Sequence, residues 1–506
     1  MRLRDCARTT AAAGGALAVL LTSACGIGST TEAASDSTLR VVVQAEPTSL
    51  SPTYSFFGDA RVWGGIFDTL VGYDRQTLAV NDEGLLPTWE QAGPTEWLFD
   101  VREGVTFHNG ETFDAAAAAF TINELRDDPA SILRTYYDVI AEAAPEGDRL
   151  RITTTEAYGA LPQMLTTAFA MPPEYYTEVG ADDFAQKPVG TGPFELVSYT
   201  SGQGLEVARY DDYWRGPAEL DGISYSWANE ASSRYALLAG GDVDLALSIQ
   251  PQDVESIEKS DDLEVETGPS TMGLTVFLDT TKGPMADVRL REAVAKAIDR
   301  DAIVKSIFQG SGALASTTFI GDLLDEPYEV DLAPDPEEAK RLVAEAGAAS
   351  LVFGYTSGRY QYDTFVGDAV TGMLQDAGFT VRQRAEELGT YREMRTQGAF
   401  DIFMQEITPT FTHPDTYVGY FLGAKSALKS CTNDAEYDAF NHAALSAQTA
   451  AESEATYRQL EEQVLTEDYC YVPITRTVFS YGMSDRLQGF EVPRTSVPDY
   501  YAMSLD

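Results

Sequence analysis

Three histidines serve a chain of 506 residues. His108 lies in FHNG, His413 in THPD and His442 in a stretch of helical pattern. No two of them stand at the i, i+4 spacing that places two imidazoles on one helix face for a metal. GxSxG, HExxH and SxxK with KTG are all missing, which removes the usual nucleophile–base and zinc-hydrolase sets. Carboxylates are plentiful, at 79 Asp and Glu, so composition alone leaves a glycosidase-type carboxylate pair open. Of four cysteines, Cys431 and Cys470 lie in the body of the chain, and no CxxC occurs. These patterns predict no catalytic residue, no metal and no cofactor.

Residues 1–25 address the chain outward. Arg2, Arg4 and Arg8 precede an apolar run from Ala11 to Leu21, followed by small residues, which is the pattern of a secretory signal. The run is too short to span a bilayer comfortably, since that takes about 20 apolar residues. Leu21-Thr22-Ser23-Ala24-Cys25-Gly26 resembles a bacterial lipobox, with Thr22 where leucine is most frequent. The resemblance implies cleavage after Ala24 and a diacylglycerol on Cys25; the alternative is a plain signal peptide with an incidental cysteine. Residues 1–24 are thus read as a signal peptide and 25–38, small and polar, as a flexible tether. In an exported chain the even pair Cys431 and Cys470 favours a disulfide, the alternative being two buried thiols.

The elements that must position any site follow from periodicity. LRVVVQA (39–45) is a β-branched strand that stops at the proline-broken EPTSLSPT (46–53). In FDVREGVTFHNGETF (99–113), Asn109-Gly110 predicts a two-residue hairpin turn with both residues at positive φ. Asp114 should cap the alanine-rich helix that follows. Strands are expected at 150–158, 194–199, 205–210 and 222–227. Val288, Leu290, Val294 and Ile298 fall on one helix face, and a second helix, 299–310, should end at Gly310. PDPEEAKRLVAEAG (334–347) has Asp335 at N-cap, Pro336 at N1 and Gly347 as its stop. Strands near 351–355, 379–385, 399–406 and 471–481 alternate with helices. The chain is too long for one core, so the pattern predicts an α/β protein of two lobes. A net charge of −44 argues against a nucleic-acid partner, which needs a basic footprint, and against docking on anionic lipid through the protein surface.

Four segments in order carry a resemblance. They are LLPTWEQAGPTEWLFDVREGVTFHNGETFDA (85–115), KPVGTGPFELVSYTSGQGLEVARYDDYWRGPAELDGISYSW (187–227), PMADVRLREAVAKAIDRDAIVKSIFQG (284–310) and DPEEAKRLVAEAG (335–347). Together they resemble the solute-binding proteins of ABC importers, in the large peptide/nickel-binding family, over about 39–506. The resemblance implies a two-lobed periplasmic-binding-protein-like fold (type II, cluster C) that hinges shut on a solute. It implies a first lobe over 39–275 with a subdomain at about 60–186, a second lobe over 276–474, and a return to the first over 475–506. It further implies a monomer that delivers its solute to membrane permease subunits, held by lipid on the outer face of the membrane, in the cell envelope or periplasmic space. Peptide is the leading ligand. A metal–chelator complex, an oligosaccharide or another carboxylated metabolite is the alternative, as is a sensor lipoprotein of the same fold.

The same resemblance nominates binding residues. Peptide-binding members hold the ligand ammonium with an aspartate in a loop that corresponds to ITPTFTHPDTYVGYF (407–421), and Thr410 stands at that position. A hydroxyl there removes a charge-assisted bond; Glu406 or Asp415 could replace it, with Phe411 alongside. GYTSGRYQY (354–362) resembles the segment that holds a ligand carboxylate, with Arg359 as its fork and Thr356 and Ser357 beside it. Thr48, Ser49 and Tyr54 would border the cleft from the first lobe, and Thr271 and Met272 where the chain crosses between lobes. In nickel-binding relatives a histidine corresponds to Asp415, two residues from His413.

Overall fold

The computed structural model describes residues 37–506 except 56–58, 309–312, 316–317, 325, 327, 348, 360–361, 427, 429–430 and 432. The signal, Cys25, the tether through 36, and Gly310 lie outside the described residues.

One mixed sheet of eleven strands organises the protein. In chain order its main strands are β1 (Thr38–Val43), β2 (Phe194–Thr200), β3 (Gly204–Arg209), β4 (Gly222–Trp227) and β5 (Leu245–Leu247). They continue with β6 (Leu263–Leu278), β7 (Ser350–Thr356), β8 (Thr380–Glu386), β9 (Ile402–Ile407) and β10 (Tyr471–Ser484). The spatial order is β8-β7-β9-β6-β10-β5-β1-β4-β3-β2, and the short strand Ala313–Ala315 pairs with β10. β1 runs parallel to β4 and β5, and β7 runs parallel to β8 and β9. The β-branched residues Val41, Val42 and Val43 of β1 are fully buried, as a strand covered on both faces requires.

The long strands β6 and β10 carry the sheet from one half to the other. Leu263–Pro269 pairs with Ser484–Val478, and Gly273–Phe277 pairs with Arg476–Tyr471, with a register shift between Pro269 and Gly273. Burial changes at the same place: β6 is largely solvated up to Pro269 and nearly all buried from Ser270 onward. A Cβ on Gly273 would sit 2.1 Å from the Phe319 ring and 2.8 Å from the Thr475 carbonyl. Only glycine lets the loop that carries Phe319 close over the crossing.

Separate apolar cores lie on the two sides. Leu39, Val41, Trp63, Phe67, Phe194 and Tyr225 fill one around β1–β4. Beside it the strands Thr88–Gly93, Glu96–Asp100, Ile140–Glu146 and Arg149–Thr154 form a four-stranded sheet, packed with Trp97, Phe99, Ile122, Leu150 and Ile152. On the other side Leu274, Val276, Ile402, Met404, Val472 and Ile474 meet the helices on one face of the sheet. Phe277, Phe403, Tyr471, Cys431 and Cys470 fill the opposite face. Cys431 and Cys470 are joined as a disulfide across a Cα–Cα distance of 5.7 Å, ordinary for such a bridge.

Local signals translate well into local structure. Asp114 caps the helix Ala115–Asp127 by accepting from the amides of Ala116 and Ala117. Asp335 accepts from Glu338 N at 3.0 Å ahead of Pro336–Ala346, and Gly347 follows at φ 91°. Three expectations need correction. Asn109-Gly110 is not the turn of a strand hairpin: only Gly110 takes positive φ (86°), a single bridge joins Thr106 to Thr112, and Glu96–Asp100 pairs with Thr88–Gly93 instead. Val288 is 44% exposed, because it opens the helix Val288–Ala297 and precedes the buried turn of Leu290 and Val294. The fold also begins one residue early, with Thr38 already paired to Gly222.

Candidate functional site

β7 and β9 are parallel neighbours, with Phe353 opposite Ile402 and Gly354 opposite Phe403. Their carboxyl ends therefore open at the same edge of the sheet, which is where open α/β sheets present ligands. Residues 356–359 leave one strand and 408–415 leave the other, so the two segments nominated from the sequence share that edge.

The first segment is wound around one carboxylate. Asp363 accepts from Thr356 Oγ1 at 3.1 Å, Gly358 N at 3.1 Å and Arg359 N at 2.9 Å. Thr356 is buried, with its hydroxyl spent on this loop, whereas Ser357 and Arg359 are exposed. Ser357 is held by its amide to the Glu386 carbonyl at 2.9 Å. Burial pushes the Glu406 carboxyl up, while the hydrogen bond from Thr477 and then the Arg359 charge favour its ionised form. Its one described side-chain donor is Thr477 Oγ1 at 2.7 Å. A half-buried carboxylate and an exposed guanidinium thus stand at the ends of neighbouring strands.

The second segment reaches across to the four-stranded subdomain. Thr410 Oγ1 is 2.9 Å from the Tyr136 hydroxyl, and Phe411 stands edge-on to the Tyr136 ring at 5.7 Å. Burial pushes the Tyr136 phenol up to about 12. Asp415 accepts from Tyr158 OH at 2.6 Å and from Asn441 Nδ2 at 2.6 Å. Burial raises its carboxyl, and these two donors pull the other way. Gly159 N donates to the Leu445 carbonyl at 2.8 Å. His413 is desolvated, which lowers its imidazole to about 3, and its Nδ1 accepts from Asp415 N at 3.2 Å. Among the described residues no three His, Cys, Asp or Glu side chains are arranged to hold a metal ion.

Of the remaining nominees, Thr271 and Met272 lie at the same edge, just ahead of Gly273, which pairs with Ile407 at the end of β9, while Thr48, Ser49 and Tyr54 belong to the loop after β1. Thr48 is exposed and bound to Asp59 through its amide (3.0 Å) and hydroxyl (2.6 Å). Ser49 Oγ accepts from Ser51 N at 3.1 Å. The Tyr54 phenol donates to Asp128. Thr271 is buried, its amide on the Arg494 carbonyl at 3.0 Å and its own carbonyl accepting from Tyr417 at 3.1 Å. Met272 N donates to Ser270 Oγ at 3.0 Å. Tyr136, Tyr158, Asp363 and Thr477 hold the edge together and were missed from the sequence. Asp363 alone had a local signal, as an acidic residue opening a helix just past a Ser-Gly turn.

Residues 82–428 match the family model for bacterial extracellular solute-binding proteins, family 5, middle region. The chain belongs to that family. Among its relatives, heme-binding protein A of Haemophilus influenzae is 25% identical over 345 residues, covering 63% of this chain and 60% of that protein. The glutathione-binding protein GsiB of Escherichia coli K12 is 29% identical over 283 residues, covering 54% and 52%. The matched region thus spans between half and three-fifths of those relatives. The dipeptide-binding protein of Pseudoalteromonas sp. SM9913, solved with Met-Leu, superposes with a TM-score of 0.78 at 20% identity, over 92% of this chain and 100% of that one. This chain accordingly has the two-lobed fold of the extracytoplasmic solute-binding proteins of ABC transporters, which are not enzymes.

Proposed function

We propose that the protein is the receptor of an ABC importer, capturing a small solute, first of all a peptide, between its lobes and passing it to a membrane permease. The observation that carries this reading is the shared carboxyl edge of β9 and β7, at which Glu406 and Arg359 both stand. A zwitterion with a free ammonium and a free carboxylate complements that pair, the ammonium toward Glu406 and the carboxylate toward the planar Arg359 fork. Glu406 suits the ammonium better than Asp415 does. Asp415 already accepts two short bonds, from Tyr158 and Asn441, whereas Glu406 has Thr477 alone as its described side-chain donor. Similar proteins named for a dipeptide and for glutathione lend support.

Thr410 favours a second reading, because a peptide receptor of this kind would place a carboxylate there. On that reading the solute is a non-peptide such as a metal–chelator complex or an oligosaccharide. Lipid on Cys25 would keep the receptor at the outer face of the membrane, monomeric and close to its permease. The test is native mass spectrometry of residues 26–506 purified from cells without refolding. A ladder of peptide masses supports the first reading. One defined non-peptide mass, or a metal isotope pattern, overturns it in favour of the second.

A further inference from the structure

Neighbouring residues of β10 point to opposite faces of the sheet. Thr477 turns to Glu406, and Arg476 turns the other way, to an ion pair with Asp322. On that opposite face, beside the β6–β10 crossing, lies a cavity of about 750 Å³. Its wall shares no residue with segments 356–359 and 406–415. This volume is in the range of small-molecule sites.

The charges around it do not balance. Arg476 and Arg494 both line the cavity, with Asp322 as the carboxylate between them. Among the described residues Arg494 Nη2 reaches the Asp322 backbone carbonyl alone, at 3.5 Å. The Nε atoms of both arginines are buried without a hydrogen-bond partner among the described residues. Glu461, the next carboxylate behind, is fully engaged by the amides of Phe319, Ile320 and Gly321 and the hydroxyls of Tyr328 and Tyr471. Two half-buried guanidinium groups therefore share one carboxylate, a positive excess that a planar anion satisfies. At the outer wall the imbalance reverses. Glu266 and Glu491 line the same cavity. Burial, and then the negative charges of Glu264 and Glu491, push the Glu266 carboxyl up. Phe490, Val492 and Pro269 supply apolar surface between the two ends.

We propose that this crossing cavity is a second binding site, for a small zwitterion of the amino-acid type. Its carboxylate lies on Arg476 and Arg494, its ammonium toward Glu266 and Glu491, and its apolar side chain against Phe490. Glu266 and Arg476 come from the two strands that join the lobes, so an occupant bridges the crossing itself.

The probes are L-leucine, Leu-Leu and 4-methylpentanoate, which is leucine without its ammonium, titrated by calorimetry into wild type and the R494Q, R494K, R476Q and R359A variants. Saturable binding of L-leucine or Leu-Leu is expected, at least tenfold weaker for 4-methylpentanoate and at least tenfold weaker in R494Q. R359A, which removes the sheet-edge fork, should leave the R494Q-sensitive component of leucine binding in place. Leucine binding identifies a free amino acid as occupant, and binding of Leu-Leu alone identifies a peptide. R494K, which keeps the charge but loses the fork, tests the site if R476Q frees Asp322 and fails to fold; it should weaken binding several-fold. No saturable binding of either zwitterion up to 10 mM overturns the proposal. So does Leu-Leu binding that R359A abolishes and R494Q spares, a result that would leave the sheet-edge reading standing.

Discussion

Tyr158 and Asp415 are 257 positions apart, and on the lobe division that the family resemblance implies they belong to different lobes, so we propose that their bond acts as a latch that sets how far the lobes stay closed. Tyr158→Phe removes one hydroxyl from a carboxylate that keeps its Asn441 bond. A hydrogen bond to a charged group contributes about 1.5–3 kcal/mol, which is roughly a 10- to 150-fold change in the closed-to-open ratio. Tyr136→Phe removes the neutral bond to Thr410 Oγ1, for about 0.5–1.5 kcal/mol and a shift of roughly 2- to 12-fold. The backbone bond from Gly159 to Leu445 stays in both. Single-molecule energy transfer between dyes on the four-stranded subdomain and on the helix Asp434–Leu445 would read the populations in ligand-free protein. Tyr158→Phe should shift them toward open by the larger amount. A double-mutant cycle with Asp415→Asn should return a coupling above about 1 kcal/mol. Unchanged populations, with the loss appearing only as a lower melting temperature, would make the contact a static support and refute the latch.

Three further outcomes follow from the same structure. Arg359→Ala should weaken a carboxylate-bearing solute roughly tenfold by calorimetry while its uncharged amide analogue binds equally to both proteins; equal losses would remove Arg359 from the site. Replacing Cys431 and Cys470 by serine opens a bridge with a sequence separation of 39. The chain-entropy model then predicts a loss of about 4 kcal/mol in denaturant unfolding, and no difference between oxidised wild type and variant would refute the stabilising role. His108 donates from Nε2 to the Gly192 carbonyl at 2.9 Å and accepts at Nδ1 from Gly190 N at 3.4 Å, so it is held neutral, and burial lowers it from 6.5 to about 4. The unfolded chain takes the proton more readily, so stability is full above pH 6.5 and declines as pH falls toward 4. The decline should be about 2 kcal/mol by pH 5, and His108→Gln should flatten it; parallel acid limbs in the two proteins would show that other groups govern it.

What the sequence made legible divides along contact distance. Asp114 and Asp335 act on amides two or three residues ahead, so residue type and spacing were sufficient. The turn at Asn109-Gly110 was legible as a turn but not as to its partners, because the residues flanking it pair elsewhere and no local rule names a strand's neighbour. Arg359 and the 407–421 loop were nominated by a family resemblance, which periodicity could not do, and the strand pairing brings the two segments to one edge. The parts that complete the edge were out of reach. Tyr136 meets Thr410 across 274 positions, and in a chain with 26 tyrosines neither it nor Tyr158 carries a mark that separates it from the core. Arg476 and Arg494 illustrate the same limit from the other side. Each stands in a stretch that reads as ordinary strand or loop, and only the β6–β10 crossing brings them onto one cavity with Asp322. The chemistry of this protein is therefore written in pairs of residues whose meeting depends on the closed topology, while the sequence announces each member singly.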